Sequence, residues 1–268
     1  MLKISKLLTV DTLFTAFKRN CESDFLFTGE RHNYWEFLYV VDGCVGVAVE
    51  DRVYELTGGK IIFYYPMEFH SIWSANGTSP DIIIFSFSMS GNNLKRLTQG
   101  VFDIGEYEHE LLTTALSYAN HCMEFDDDVK NQLTSNKLEE MMLRLLENQV
   151  PATAQKKTLG TENYKMIIRL MEENVDKNLS SEQLAEFCGL SLSNLKKIFK
   201  KYSGMGVMKY YNNLRILKAM DLIKDGKSMS EISDMLNYSS QNYFTEAFKR
   251  HCGMTPTKHK QFCQQDYL

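Results

Sequence analysis

The chain has 268 residues, 44% of them hydrophobic, enough to bury ordinary cores in about two domains. No stretch approaches the roughly 20 apolar residues of a membrane helix, and Asp11, Lys18 and Arg19 break up the N-terminal apolar run, which argues against a signal peptide. Charge is unevenly split: residues 1–150 carry 12 basic and 22 acidic side chains, residues 151–268 carry 18 and 12, so a phosphate-rich partner suits only the second part.

Short β-branched and aromatic runs come first, at Tyr34 to Val41, Val45 to Val49, Arg52 to Leu56, Ile61 to Tyr65 and Ile82 to Phe87. Glu50-Asp51, Thr57-Gly58-Gly59, Pro66 and Asn76-Gly77 punctuate them as turns. Closely spaced strands without intervening helices imply an antiparallel sandwich or barrel. From about Glu106 the period turns helical. Helices are expected over Tyr107–Cys122 and Val129–Asn148, the second with Leu138, Met141, Met142 and Leu145 along one side.

The Leu138/Met142/Leu145 spacing suits either a helix pair between two copies of the chain or packing onto the chain's own sheet. A homodimer is the expectation. Residues 149–160, with Pro151 and small polar side chains, are expected to be a linker. The fold class is therefore two-domain α+β: an antiparallel β-barrel over about 1–90 with helices over 106–148, then an all-α domain over 161–268. The six cysteines form no CxxC pair, so reduced thiols and a cytoplasmic location are expected.

After the linker, a lead helix over Tyr164–Asn174 precedes a pattern that occurs twice. Ser180 with Gln183, and Ser228 with Glu231, have the spacing of capping boxes. Gly189 and Asn237 follow at one common offset, where a tight turn needs a positive φ. Ser191 and Ser240 then cap second helices that end at Gly204 and Gly253. Leu195, Ile198 and Phe199, like Phe244, Ala247 and Phe248, form apolar seams, leaving a polar outer face suited to a DNA major groove.

A connecting helix over Val207–Asp225 would span about 28 Å at ~1.5 Å per residue. Successive major grooves on one face of DNA lie ~34 Å apart, so modest operator bending is expected. A short helix should follow Pro256.

This C-terminal part resembles the AraC/XylS family of transcription regulators over roughly residues 160–262. The likeness rests on Leu190-Ser191, Ser193, Leu195, Phe199-Lys200, Gly204, Leu214 to Ala219, Ile232, Tyr238, Tyr243-Phe244, Phe248-Lys249, Gly253 and Thr255-Pro256. It implies two recognition helices in adjacent major grooves. The residues expected at DNA are Ser191, Ser193, Asn194, Lys196, Lys197 and Lys200, then Ser240, Gln241, Asn242, Thr245, Glu246 and Lys249. Glu246 stands where the family commonly has arginine, and His259-Lys260 replaces its usual Tyr-Arg.

The N-terminal part more loosely resembles the family's cupin-type sensory domain, through His32, Glu36, Gly43, Gly59 to Pro66 and His70. Glu30 occupies the position of the first histidine of metal-binding cupins. Glu30, His32 and Glu36 share strand parity, so one face could present all three, with His70 arriving from another strand. Such a set could hold a divalent metal or line an organic effector pocket. The expectation is an effector site of Glu30, His32, Glu36, Tyr64 and His70, with no metal and no cofactor. Trp35 and Tyr39 should pack on the opposite face, against helices. By analogy with sugar-responsive relatives, residues 1–14 could close over the ligand as an arm.

The expected function is a DNA-binding transcription regulator, not an enzyme, that responds to a small molecule such as a sugar. Double-stranded DNA and the effector are its expected partners, with RNA polymerase a further candidate and no membrane. Two rival readings stay open: a cupin metal enzyme with an attached helical module, and a protein-interaction adaptor.

Overall fold

The structure, a computed structural model, describes residues 6–92, 94–148 and 158–265, with side chains up to residue 260. The chain splits into two compact units, Met1–Lys157 and Thr158–Leu268.

Among the described residues of the first unit there are nine strands: β1 (Leu8–Asn20), β2 (Leu26–Glu30), β3 (Trp35–Asp42), β4 (Cys44–Val49), β5 (Arg52–Thr57), β6 (Lys60–Tyr64), β7 (His70–Ser74), β8 (Asp81–Gly91) and β9 (Val101–Asp103). They form two antiparallel sheets, ordered β1-β8-β3-β6-β9 and β2-β7-β4-β5. The β part is thus an open, cupin-like pair of facing sheets and not one closed ring of strands. Two helices follow, α1 (Glu106–Glu124) and α2 (Asp128–Asn148).

The period-2 rule explains how the five-stranded sheet is buried on both faces. On β3 and β8 the odd positions Trp35, Phe37, Tyr39, Ile83, Phe85 and Phe87 join a core with Leu112, Ala115, Leu138, Met141, Met142 and Leu145 of the helices. The even positions Leu38, Val40, Ile82 and Ile84 join a second core, between the sheets, with Val45, Val47, Val49, Leu56 and Ile72. Trp35 and Tyr39 do face the helices, and the Tyr39 hydroxyl lies 2.8 Å from His109 Nδ1. Glu36, even-numbered, points between the sheets, where few carboxylates are found.

Three expectations change. Residues 8–14 are not a free arm, because they belong to β1, which pairs with β8 along its length. This strand was hidden because it is an edge: most of its side chains meet solvent, so apolar alternation is weak. Residues 1–5 of the expected arm lie outside the described residues. The Leu138/Met142/Leu145 stripe is fully buried on the chain's own sheet, so it is not available to a second copy. Finally, part of the segment read as linker is helical: Thr158 caps a helix that begins at Leu159, and 149–157 lie outside the described residues.

The second unit contains α3 (Leu159–Glu173), α4 (Ser181–Phe187), α5 (Leu192–Ser203), α6 (Val207–Lys224), α7 (Met229–Met235), α8 (Gln241–Cys252) and α9 (Pro256–Gln265). Helix α6 is the shared rod. Ile216, Ala219, Leu222 and Ile223 pack with Ile232, Leu236, Phe244 and Phe248 of the second hairpin. Near its start, Tyr210 meets Phe199 of the first hairpin edge-on at 5.2 Å. Among the described residues no helix is long and apolar enough to cross a membrane.

Candidate nucleic-acid interface and effector site

Each hairpin is built by the chemistry its sequence announced. The Ser180–Gln183 and Ser228–Glu231 capping boxes are both closed, each side chain satisfying a backbone N–H that the helix start leaves free. Gly189 turns with φ 62° and Asn237 with φ 50°. Ser191 accepts from the Asn194 N–H and Ser240 from the Tyr243 N–H, setting the starts of α5 and α8. Both helices end on a left-handed glycine, Gly204 and Gly253.

Ser191 just before α5 and Ser193, Asn194, Lys196 and Lys197 on its first two turns are exposed, as are Ser240 just before α8 and Gln241, Asn242 and Glu246 on it. Thr245 is half-buried, its hydroxyl donating back to the Gln241 carbonyl at 2.9 Å. Lys200 and Lys249 belong to the last turns instead. The Lys200 ammonium donates to the Gly204 carbonyl, closing its own helix end. This places Lys200 at the opposite end of α5 from the N-terminal part of a recognition helix that supplies base contacts.

A cation holds the hairpins together from within. Arg215 of α6 is buried, donating to Asn178 Oδ1 at 3.3 Å and to the Leu236 carbonyl. One side chain thereby ties the loop before α4 to the turn after α7. Nearby, the Tyr211 hydroxyl donates to the Lys177 carbonyl at 2.9 Å.

In the first unit, four of the five expected effector residues converge, though not on one strand face. Glu30 ends β2, His32 lies in the following loop, Glu36 sits on β3 of the other sheet, and His70 begins β7. Glu30 pairs with His70, and Glu36 pairs with both Tyr64 and Ser86. The cluster therefore bridges the sheets at one end. Gly29 permits this: its φ is +81°, and a Cβ there would lie 2.4 Å from the Phe69 ring.

His70 is fully buried, and the His32 and Glu36 side chains are each about 8% exposed. His70 Nε2 lies 3.2 Å from one Glu36 oxygen and His32 Nε2 lies 3.5 Å from the other. Ser86 donates to Glu36 at 2.6 Å and accepts from Thr15 at 2.8 Å. Burial alone would raise the Glu36 pKa; His32, His70 and Ser86 more than offset it and hold it at about 2. Burial likewise opposes protonation of His32, but the neighbouring Glu36 carboxylate overcomes it and raises that pKa.

Beside this cluster lies a cavity of about 200 Å³. Thr15, Arg19, Glu30, Tyr34, Glu36 and Ser86 form its polar lining, while Phe17, Phe25, Phe27, Ile72, Ile82 and Ile84 form its apolar one. Glu30 and Glu36 reach it. His32, His70 and Tyr64 do not line it, and Tyr64 stacks on His70 at 4.1 Å with its hydroxyl buried and without a hydrogen bond.

Comparison with known proteins places both units. The family model described as an AraC-like ligand binding domain matches residues 16–162, and a helix-turn-helix domain model matches residues 184–261. The chain belongs to the AraC family. Its AraC-like ligand-binding domain and its helix-turn-helix domain make it a DNA-binding transcriptional regulator.

"Probable transcriptional regulator LumQ" of Photobacterium leiognathi is 24% identical over 240 residues, covering 88% of this chain and 92% of that protein. The regulator GbdR of Pseudomonas aeruginosa is 28% identical over 109 residues, covering 40% of this chain but only 30% of GbdR. A crystal structure of a transcriptional regulator with an AraC-type DNA-binding domain, from Chromobacterium violaceum, shares 30% identity over 37% of this chain and 90% of its own, at a TM-score of 0.35.

For this AraC-family chain, sequence reasoning missed the cavity residues Thr15, Phe17, Arg19, Phe25, Phe27 and Tyr34. They lie on β1 and β2 and in the segments after each, and neither strand was expected. Tyr34 alone carried a signal, as the first residue of a recognised apolar run. Cys21, Cys44, Cys122, Cys188 and Cys252 are free thiols; the side chain of Cys263 lies outside the described residues.

Proposed function

We propose that this regulator reads duplex DNA with the starts of α5 and α8 and responds to a small metabolite bound in the N-terminal cavity. The first part of this reading is carried by one observation. Two capped hairpins on a common rod each expose polar side chains at the start of the second helix, Lys196 and Lys197 on one and Gln241 and Asn242 on the other. Lysines supply phosphate or base-edge contacts, and glutamine and asparagine suit adenine in the major groove. Helix α6 spans about 27 Å at ~1.5 Å per residue, less than the ~34 Å groove repeat, so bound DNA bends toward the protein.

The cavity supports an effector that is hydroxylated on one side and apolar on the other, a sugar or a related compound. Thr15, Arg19, Glu30, Glu36 and Ser86 offer donors and acceptors for hydroxyls, while the phenylalanine rings offer flat apolar faces. A space of about 200 Å³ suits a small ligand. Binding shifts a two-state equilibrium to the extent that the two states differ in affinity for the effector.

A homodimer fits the outer face of α2, where Val129, Leu133 and Leu143 are exposed. RNA polymerase is a further candidate partner.

The test is selection of bound duplexes from random sequence, with and without candidate sugars, followed by a salt titration. A recovered site with two half-sites one helical turn apart is expected, with affinity falling by about 10³-fold between 50 and 200 mM salt if roughly six phosphates are neutralised. Salt-insensitive association, or no preferred sequence, would overturn the reading.

A further inference from the structure

The cluster at the end of the sheets gathers four possible donor side chains, and two of them, His32 and His70, do not line the effector cavity. His32 Nδ1 lies 3.0 Å from the Tyr34 carbonyl and His70 Nδ1 lies 3.2 Å from the Glu68 carbonyl. A carbonyl only accepts, so both Nδ1 atoms carry the proton. Each Nε2 is buried, makes no hydrogen bond, and faces an oxygen of Glu36. In a neutral ring that nitrogen is a bare lone pair, costly to bury without a donor. Either a second ring proton or a cation seated between the two nitrogens and the carboxylate satisfies it.

We propose that Glu30, His32, Glu36 and His70 bind one first-row divalent cation of the class that prefers mixed imidazole and carboxylate ligands, such as Mn²⁺, Fe²⁺, Co²⁺ or Zn²⁺.

Three further observations fit. The four ligand atoms lie within 4.8 Å of one another. Bonds of ~2.1 Å in a tetrahedron place ligand atoms about 3.4 Å apart, and the two His–Glu36 separations are 3.2 and 3.5 Å. Glu30, exposed at the end of β2, completes the set within the same 4.8 Å. Charge closes as well, because two neutral imidazoles and two carboxylates balance one dication.

The histidines are also held as metal ligands usually are, each ring fixed through its other nitrogen by a carbonyl. Around them the backbone is clamped. Arg31 grips Glu50 through both guanidinium nitrogens, and Glu50 accepts from the Phe69 N–H at 2.8 Å while donating its own N–H to the Phe69 carbonyl. This pins the neighbours of Glu30, His32 and His70 together. The cation would lie beside the cavity that Glu30 and Glu36 also line, which goes beyond an effector pocket without depending on it.

The test uses full-length protein stripped with a chelator and dialysed. Co²⁺ is titrated in while the visible ligand-field absorption of the bound ion is followed, and bound Zn²⁺ is counted by elemental analysis. Saturation at one ion per chain is expected. Glu30→Gln, at an exposed position, should keep the fold and weaken binding by more than about tenfold, the scale for losing even an outer partner of a metal ligand. Glu36→Gln should abolish the Co²⁺ spectrum; if that variant does not fold, Glu30→Gln decides. No saturable binding by the wild type, or unchanged affinity in Glu30→Gln, would overturn the site. Duplex binding by the same preparation separates that failure from failure of the regulator reading.

Discussion

The guanidinium of Arg215 lies 4.2 Å over the ring of Tyr238, on the far side of the turn that Asn237 makes. It also donates to Leu236 and Asn178, so one buried cation fixes both hairpins to the rod between them. Arg215→Ala leaves the Leu236 carbonyl buried without its donor and removes the stacking contact. A loss of roughly 2–4 kcal/mol in urea unfolding is expected, with a larger loss of affinity for a two-half-site duplex than for a single half-site. Equal losses on both duplexes would show that Arg215 stabilises the fold without setting the spacing.

Lys197 and Lys200, three residues apart, should behave differently. Lys197→Ala is expected to relax preference at one base pair by about 1–3 kcal/mol if the side chain reads a base edge. Lys200→Ala, whose ammonium is occupied with the Gly204 carbonyl, should leave the selected sequence unchanged. Sequencing of selected duplexes for both variants checks this, and the reverse pattern would reassign the reading face.

Gly189 has φ 62° with nothing within 4 Å of where a Cβ would stand. Its substitution therefore costs conformation and not space: Gly189→Val should destabilise the second unit by at least about 1–2 kcal/mol. Asn237→Gly, which keeps access to the same region, should change stability by less than about 0.5 kcal/mol. Thermal unfolding distinguishes them; equal effects would mean that the turn tolerates any backbone.

Ile84 faces the cavity from β8 and is nearly buried. Ile84→Trp should fill that space. At a hundred times its dissociation constant, an effector found by the selection above should stabilise the wild type by about 2.7 kcal/mol and the variant not at all, with duplex affinity retained. Undiminished stabilisation would place the effector elsewhere.

The helical unit was legible because its signals are local. A cap, a turn residue with positive φ and an apolar seam each act within a few residues, and the repetition of all three made them readable twice. The first unit was harder. β1 hides as an edge strand, β2 and β7 are short, and Glu30, His32, Glu36 and His70 lie on three strands and a loop of two sheets. Their shared parity suggested a common face, and they do meet, but by a crossing between sheets that parity does not describe. The Leu138/Met142/Leu145 stripe likewise left its partner open, since a seam has the same spacing whether it meets a neighbouring sheet or a second molecule.

Sequence alone therefore determined the paired readers, their caps and turns, and the segregation of charge, because backbone conformation and helix periodicity depend on near neighbours. Only the tertiary structure decided which face of α2 is already occupied, which residues line the cavity, and that two histidine Nε2 atoms meet one buried carboxylate. Those outcomes depend on strand pairing across dozens of residues, where Gly29 and the register of Glu30 with His70 bring distant side chains within bonding range.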